Sequence, residues 1–138
     1  MDADNHRKTD LDNLKILVID HNITYLNVLR NYLLRHPKIN IVEIVNRVAS
    51  GLDLIDKFQP DIILLDLDIP EVNGLDAIPL IRYHGSQLLI IILSMLDSKP
   101  YQNAMIKAGA NAFVSKNTMG EELIPTIFRL LENNAALE

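Results

Sequence analysis

The stretch IILLDLDIPEVNG, Ile62 to Gly74, is apolar for four residues, then meets Asp66 and Asp68 one residue apart and turns through Pro70 and Asn73-Gly74. A strand with no polar face is one covered on both sides, as in a parallel sheet sandwiched between helices. A carboxylate closing such a strand must find a metal, a cation or hydrogen bonds, or be a reactive group. The fold and the chemistry both follow from asking what else ends in this way.

Three other runs read as buried strands: KILVID at 15–20, LLIIILS at 88–94 and AFVSK at 112–116. INIVEIV at 39–45 alternates in part and belongs nearer an edge. Between them lie apolar residues at helical spacing: Ile23, Leu26, Leu29 and Leu33; Tyr101, Ala104, Met105 and Ala108; Leu123, Ile127, Leu130 and Leu131. Shorter helices are expected at about 50–58 and 75–84. Strand alternating with helix predicts an α/β class, doubly wound, because parallel neighbours need crossover connections. Pro79 and Pro125 fall inside helical patterns, where a missing N–H and a ring clash predict a first-turn position or a kink.

With 138 residues the chain is about one domain. We expect a flexible lead at 1–13, the domain at 14–133, and a tail at 134–138 whose closing Leu-Glu fits a cloning remnant. The formal charge of -5 argues against direct nucleic-acid binding by this chain. With no cysteine, disulfides and thiolate sites are excluded, and the cytoplasm is the expected compartment. The polar start is neither a signal peptide nor an anchor, and no run approaches membrane-spanning length.

In open α/β sheets ligands bind beyond the carboxyl ends of the strands. There the first run ends in Asp20, the third in Asp66 and the fourth in Ser94, while Lys116 follows the fifth. Two carboxylates, a hydroxyl and an ammonium on one rim suit phosphoryl chemistry: acids hold a hard Mg²⁺, metal and lysine neutralise phosphate oxygens, and one carboxylate can be the nucleophile.

Together, ILVID with Asp20, PDIILLDLDIPEVNG with Asp66, IIILS with Ser94, and AGANAFVSK with Phe113 and Lys116 resemble the receiver domain of two-component response regulators, from about Lys15 to about Leu131. The resemblance implies a flavodoxin-like fold with a five-stranded parallel sheet in the order 2-1-3-4-5. It implies phosphoryl transfer to Asp66 from a sensor histidine kinase or phosphotransfer protein, with no action on separate substrates. Asp20, Asp66 and the backbone carbonyl of Asp68 would bind Mg²⁺, Lys116 would contact the acyl phosphate, and Ser94 with Phe113 would form the switch. The output surface would be the face of the fourth helix, fifth strand and fifth helix, a surface suited to a homodimer. Two residues depart from the family pattern. His21 stands where receivers carry a second acid, which weakens Mg²⁺ binding and brings Mn²⁺ into consideration. Asn117 follows Lys116 where a proline is common.

Plainer readings stand beside these. Asp66 could cap a turn and Asp20 the helix near Asn22; the Asp68 side chain could be solvated; Ser94 and Lys116 could be a strand end and a surface lysine; Phe113 could be a core aromatic. His36 and His84 sit near expected helix ends and are not read as catalytic. Two other functions compete: a pseudo-receiver that binds its partner constitutively, and a phosphatase, because Asp66-Leu67-Asp68 with Ser94 and Lys116 is similar to the haloacid-dehalogenase pattern. That family puts its aspartate pair on the first strand and needs a later acidic motif, for which Glu121 and Glu122 are poor candidates.

Overall fold

The computed structural model describes residues 12–66 and 74–137. Strands β1 (Leu14–Ile19), β2 (Ile39–Val45), β3 (Ile62–Asp66), β4 (Leu89–Ser94) and β5 (Ala112–Ser115) alternate with helices α1 (Ile23–Leu34), α2 (Val48–Phe58), α3 (Gly74–His84), α4 (Lys99–Ala108) and α5 (Met119–Leu137). The sheet is parallel throughout, in the order β2-β1-β3-β4-β5. The partly alternating β2 is an edge strand, as its pattern predicts.

Successive residues of a strand face opposite sides, and here each side has its own core. Ile16, Val18, Leu64, Ile91 and Val114 pack with Leu26, Leu29, Leu123, Ile127 and Leu131 of α1 and α5. Leu17, Ile19, Ile63, Leu65 and Ile92 pack with Ile55, Ile78, Ile81 and Met105 of the other three helices. Carried past the strand ends, the alternation puts Asp20, Asp66 and Lys116 on the α1/α5 side, and Ser94 and Phe113 on the other. Gly51 lets α2 lie close to the sheet, since a Cβ there would stand 2.5 Å from Ile19 Cδ1.

The two shorter helices fall within two residues of the expected ranges, and both prolines lie inside helices. Neither proline sits in a first turn: Pro79 is the sixth residue of α3 and Pro125 the seventh of α5. Each costs one backbone hydrogen bond, and the apolar faces that embed Ile78, Ile81, Leu123 and Ile127 carry the helices through them. The last helix continues to Leu137, past residue 133. Met105, part of the apolar stripe on α4, is buried in the core, while Tyr101 is exposed.

Candidate phosphoryl-acceptor site

Asp20 and Asp66 stand side by side because β1 and β3 pair in register, and each follows an apolar strand that leaves it buried. Lys116 reaches both: its Nζ is 3.1 Å from Asp20 Oδ2 and 3.5 Å from Asp66 Oδ1. His21 meets the opposite oxygens, with Nδ1 3.7 Å from Asp20 Oδ1 and 3.4 Å from Asp66 Oδ2. Each carboxylate thus gives one oxygen to the ammonium and turns the other toward the imidazole. The lysine is only 14% exposed, so water screens its attraction weakly.

Asp20 does not cap α1. Its Oδ1 accepts from the Asn22 N–H at 3.0 Å, and Asn22 is the cap, its Oδ1 accepting from the Tyr25 N–H at 3.1 Å. Ser94 is fully buried, and its Oγ accepts from the Leu96 N–H at 2.9 Å. Phe113, half-buried, packs against the core on the α2–α4 side. The Lys116 N–H donates to the Ser94 carbonyl at 2.9 Å, tying the two strand ends together, and no cis peptide bond occurs among the described residues. Asp68 lies outside the described residues. His36 accepts from the Lys38 N–H and stacks on Phe128, while His84 lies 3.9 Å from Asp56; neither joins the site.

Asp20, His21 and Asp66 each offer one ligand atom, and these lie within 4.8 Å of one another. Two carboxylates against one ammonium leave an acidic excess for a divalent cation, and their oxygens suit Mg²⁺. The third donor is an imidazole nitrogen, which suits Mn²⁺ or Zn²⁺ better. The residues therefore fit a divalent ion with a mixed donor set.

Sequence reasoning missed Tyr25. The Lys116 ammonium lies 4.3 Å from the centroid of its ring, and its hydroxyl donates to Met119 Sδ at 2.9 Å. Burial, then the negative charges of Asp20 and Asp66, push the Tyr25 hydroxyl well above the ordinary tyrosine range. Its signal was positional: five residues after Asp20, at the start of α1, it faces the strand ends.

A family model described as the response regulator receiver domain matches residues 16–128. The chain is similar to the transcriptional regulatory protein MctR of Rhizobium johnstonii, 27% identical over 119 residues that make up 86% of this chain and 56% of that protein. It is similar also to the DNA-binding transcriptional activator EvgA of Escherichia coli K12, 30% identical over 114 residues, 83% of this chain and 55% of that one. The chain thus spans about half the length of the curated relatives it matches. In fold it is similar to a LuxR-family two-component response regulator from Aurantimonas sp. SI85-9A1, with a TM-score of 0.82, 24% identity, and coverage of 88% of this chain and 86% of that one. A second solved structure, the isolated REC domain of RcsB from Salmonella enterica serovar Typhimurium in the presence of BeF3-, gives a TM-score of 0.79 at 20% identity over 87% of this chain and 89% of that one.

Proposed function

The chain belongs to the response regulator receiver domain family, and on that premise we propose that Asp66 accepts a phosphoryl group from the phosphohistidine of a sensor kinase or phosphotransfer protein. The supporting observation is the pair of buried carboxylates bridged by Lys116. A carboxylate oxygen of Asp66 bonds to phosphorus as the P–N bond breaks, and the departing imidazole keeps the electron pair and takes up a proton. The Lys116 ammonium neutralises charge on the phosphoryl oxygens.

Asp20 and Asp66 would hold the divalent ion, with His21 as a nitrogen donor and the Asp68 carbonyl as a further ligand. When bound, it would supply positive charge to the same phosphoryl oxygens. Ser94 and Phe113 are the proposed switch pair; both point to the side of the sheet away from Asp66, so the phosphoryl signal has to cross it. The chain is not an enzyme acting on separate substrates. We propose transcription as the regulated process, since MctR and EvgA are described as transcriptional regulators, with DNA contact made outside this acidic chain. The family match favours neither the constitutive module nor the phosphatase.

Incubation with Mg²⁺ or Mn²⁺ and acetyl phosphate should add one phosphoryl group by intact mass, and Asp66→Asn should abolish it. An adduct that persists in Asp66→Asn, or no adduct and no binding of beryllofluoride by the parent protein, would refute the assignment.

A further inference from the structure

We infer that Tyr25 is a positioning residue for Lys116: its ring holds the ammonium against the two carboxylates while its hydroxyl braces the start of α5 directly behind. The inference deepens the reading of Asp66 as acceptor and rests on it.

Four ammonium or guanidinium groups lie over aromatic rings among the described contacts. Lys15 on Phe58, Arg35 on Tyr32 and Lys38 on Phe128 stand 5.5, 5.7 and 5.9 Å from the ring centroids. Lys116 on Tyr25, at 4.3 Å, is the close one, and its ammonium is largely withdrawn from water. Attraction of a cation to a ring face strengthens as the cation is desolvated.

The backbone of Lys116 is already fixed. Its N–H donates to the Ser94 carbonyl, and the turn after it closes through the Thr118 N–H to the Ser115 carbonyl at 3.2 Å. The four-carbon side chain is not fixed by this, and a lysine stem has many rotamers to lose. Tyr25 removes that freedom by closing the side of Lys116 that faces α1. The raised pKa of its hydroxyl is consistent with this, because a neutral phenol keeps donating to Met119, whereas a phenolate would compete with Asp66 for the ammonium. Tyr32, two helical turns on along the same face, donates to the Gly120 carbonyl at 3.0 Å. Two tyrosines of α1 therefore grip the first two residues of α5, and the nearer one also faces Lys116.

Tyr25 does not touch the reacting oxygen or phosphorus. Its contribution is to hold the ammonium where phosphoryl oxygens arrive, which should affect the rate of transfer more than the affinity for the phosphodonor.

The test compares Tyr25→Phe, which keeps the ring and loses the hydroxyl, with Tyr25→Leu, which keeps an apolar side chain and loses the ring. In the unphosphorylated protein, proton NMR should show the ε-methylene of Lys116 shifted upfield by the ring in the parent and in Tyr25→Phe, and at ordinary lysine positions in Tyr25→Leu. Phosphorylation by acetyl phosphate should be about three- to tenfold slower at saturation in Tyr25→Leu, with little change in half-saturating concentration, and near the parent rate in Tyr25→Phe. Ordinary lysine shifts in the parent protein, a measurement needing no variant to fold, overturn the grip. Tyr25→Leu phosphorylated at the parent rate overturns the catalytic consequence. A parent protein that takes no phosphoryl group overturns the acceptor reading instead, while a ring-shifted Lys116 still supports the grip.

Discussion

At the scale of single residues, His21 is what sets this site apart. Its Nδ1 sits 3.4 Å from an oxygen of Asp66, in the place where a second acid would add negative charge. An imidazole brings a softer donor and no charge, so the ion preference should move from Mg²⁺ toward Mn²⁺. His21→Asp should tighten Mg²⁺ binding by roughly tenfold, a modest figure because the position is partly open to solvent and screened. The same change should narrow the preference for Mn²⁺ over Mg²⁺. Calorimetric titration of both ions into both proteins measures this, and identical constants would mean that the imidazole never meets the ion. Asp20, Asp66, Ser94 and Lys116 stood out in the sequence because each ends or follows an apolar run, and His21 because it stands where the family resemblance calls for a second acid. Tyr25 did not: within an amphipathic helix an aromatic residue is one apolar residue among several, and its ring meets Lys116 only through the contact of α1 with the start of α5.

At the scale of elements, the doubly wound α/β class was readable because unbroken apolar strands need cover on both faces, and the residues of β1, β3 and β4 do divide between two cores; the strand order came from the family resemblance. That α3 and α5 run on through Pro79 and Pro125 was not readable, since propensity marks a local cost and tertiary burial overrode it. Side-chain links between elements were not legible either. Arg82, near the end of α3, donates through Nε and Nη2 to the Gly109 carbonyl at 3.2 and 2.7 Å, through Nη2 to Asn111 Oδ1 at 2.7 Å, and through Nη1 to the carbonyls of Ser86 and Leu88. One guanidinium thereby closes the end of α4, where Gly109 adopts a φ of 123°, and the loop into β4. Burial lowers the pKa of Arg82, the expected cost of withdrawing a cation from water. Arg82→Met should cost about 2–3 kcal/mol, because it leaves carbonyl groups without donors. Urea unfolding should show the loss as a lower midpoint with an unchanged slope; a midpoint equal to that of the parent would mean that water replaces the guanidinium at no cost.

At the scale of the whole molecule, a phosphoryl group on Asp66, the proposed acceptor, would arrive on the α1/α5 side of the sheet, while the proposed switch pair lies on the other. Ser94 sits at the crossing point. Its hydroxyl holds the Leu96 N–H, and the loop after it is tethered through Ser115 Oγ, which donates to Asp97 Oδ2 at 2.9 Å. Met95 and Leu96 on that loop are exposed, as are Tyr101 and Ile106 on α4, so any displacement of Ser94 is delivered to an apolar surface. A ligand moves a two-state population only by its preference for one state: a hundredfold preference takes a 1:99 mixture merely to about even. Saturating beryllofluoride, as a phosphoryl mimic, should therefore change hydrogen exchange partially but together over residues 95–106, with the α1 amides changing less. If this surface is a dimer contact, the sedimenting mass should rise under the same conditions, and Asp66→Asn should show neither effect. A change confined to residues 67–73 would mean that the signal stops at the acceptor and that Ser94 does not carry it across the sheet.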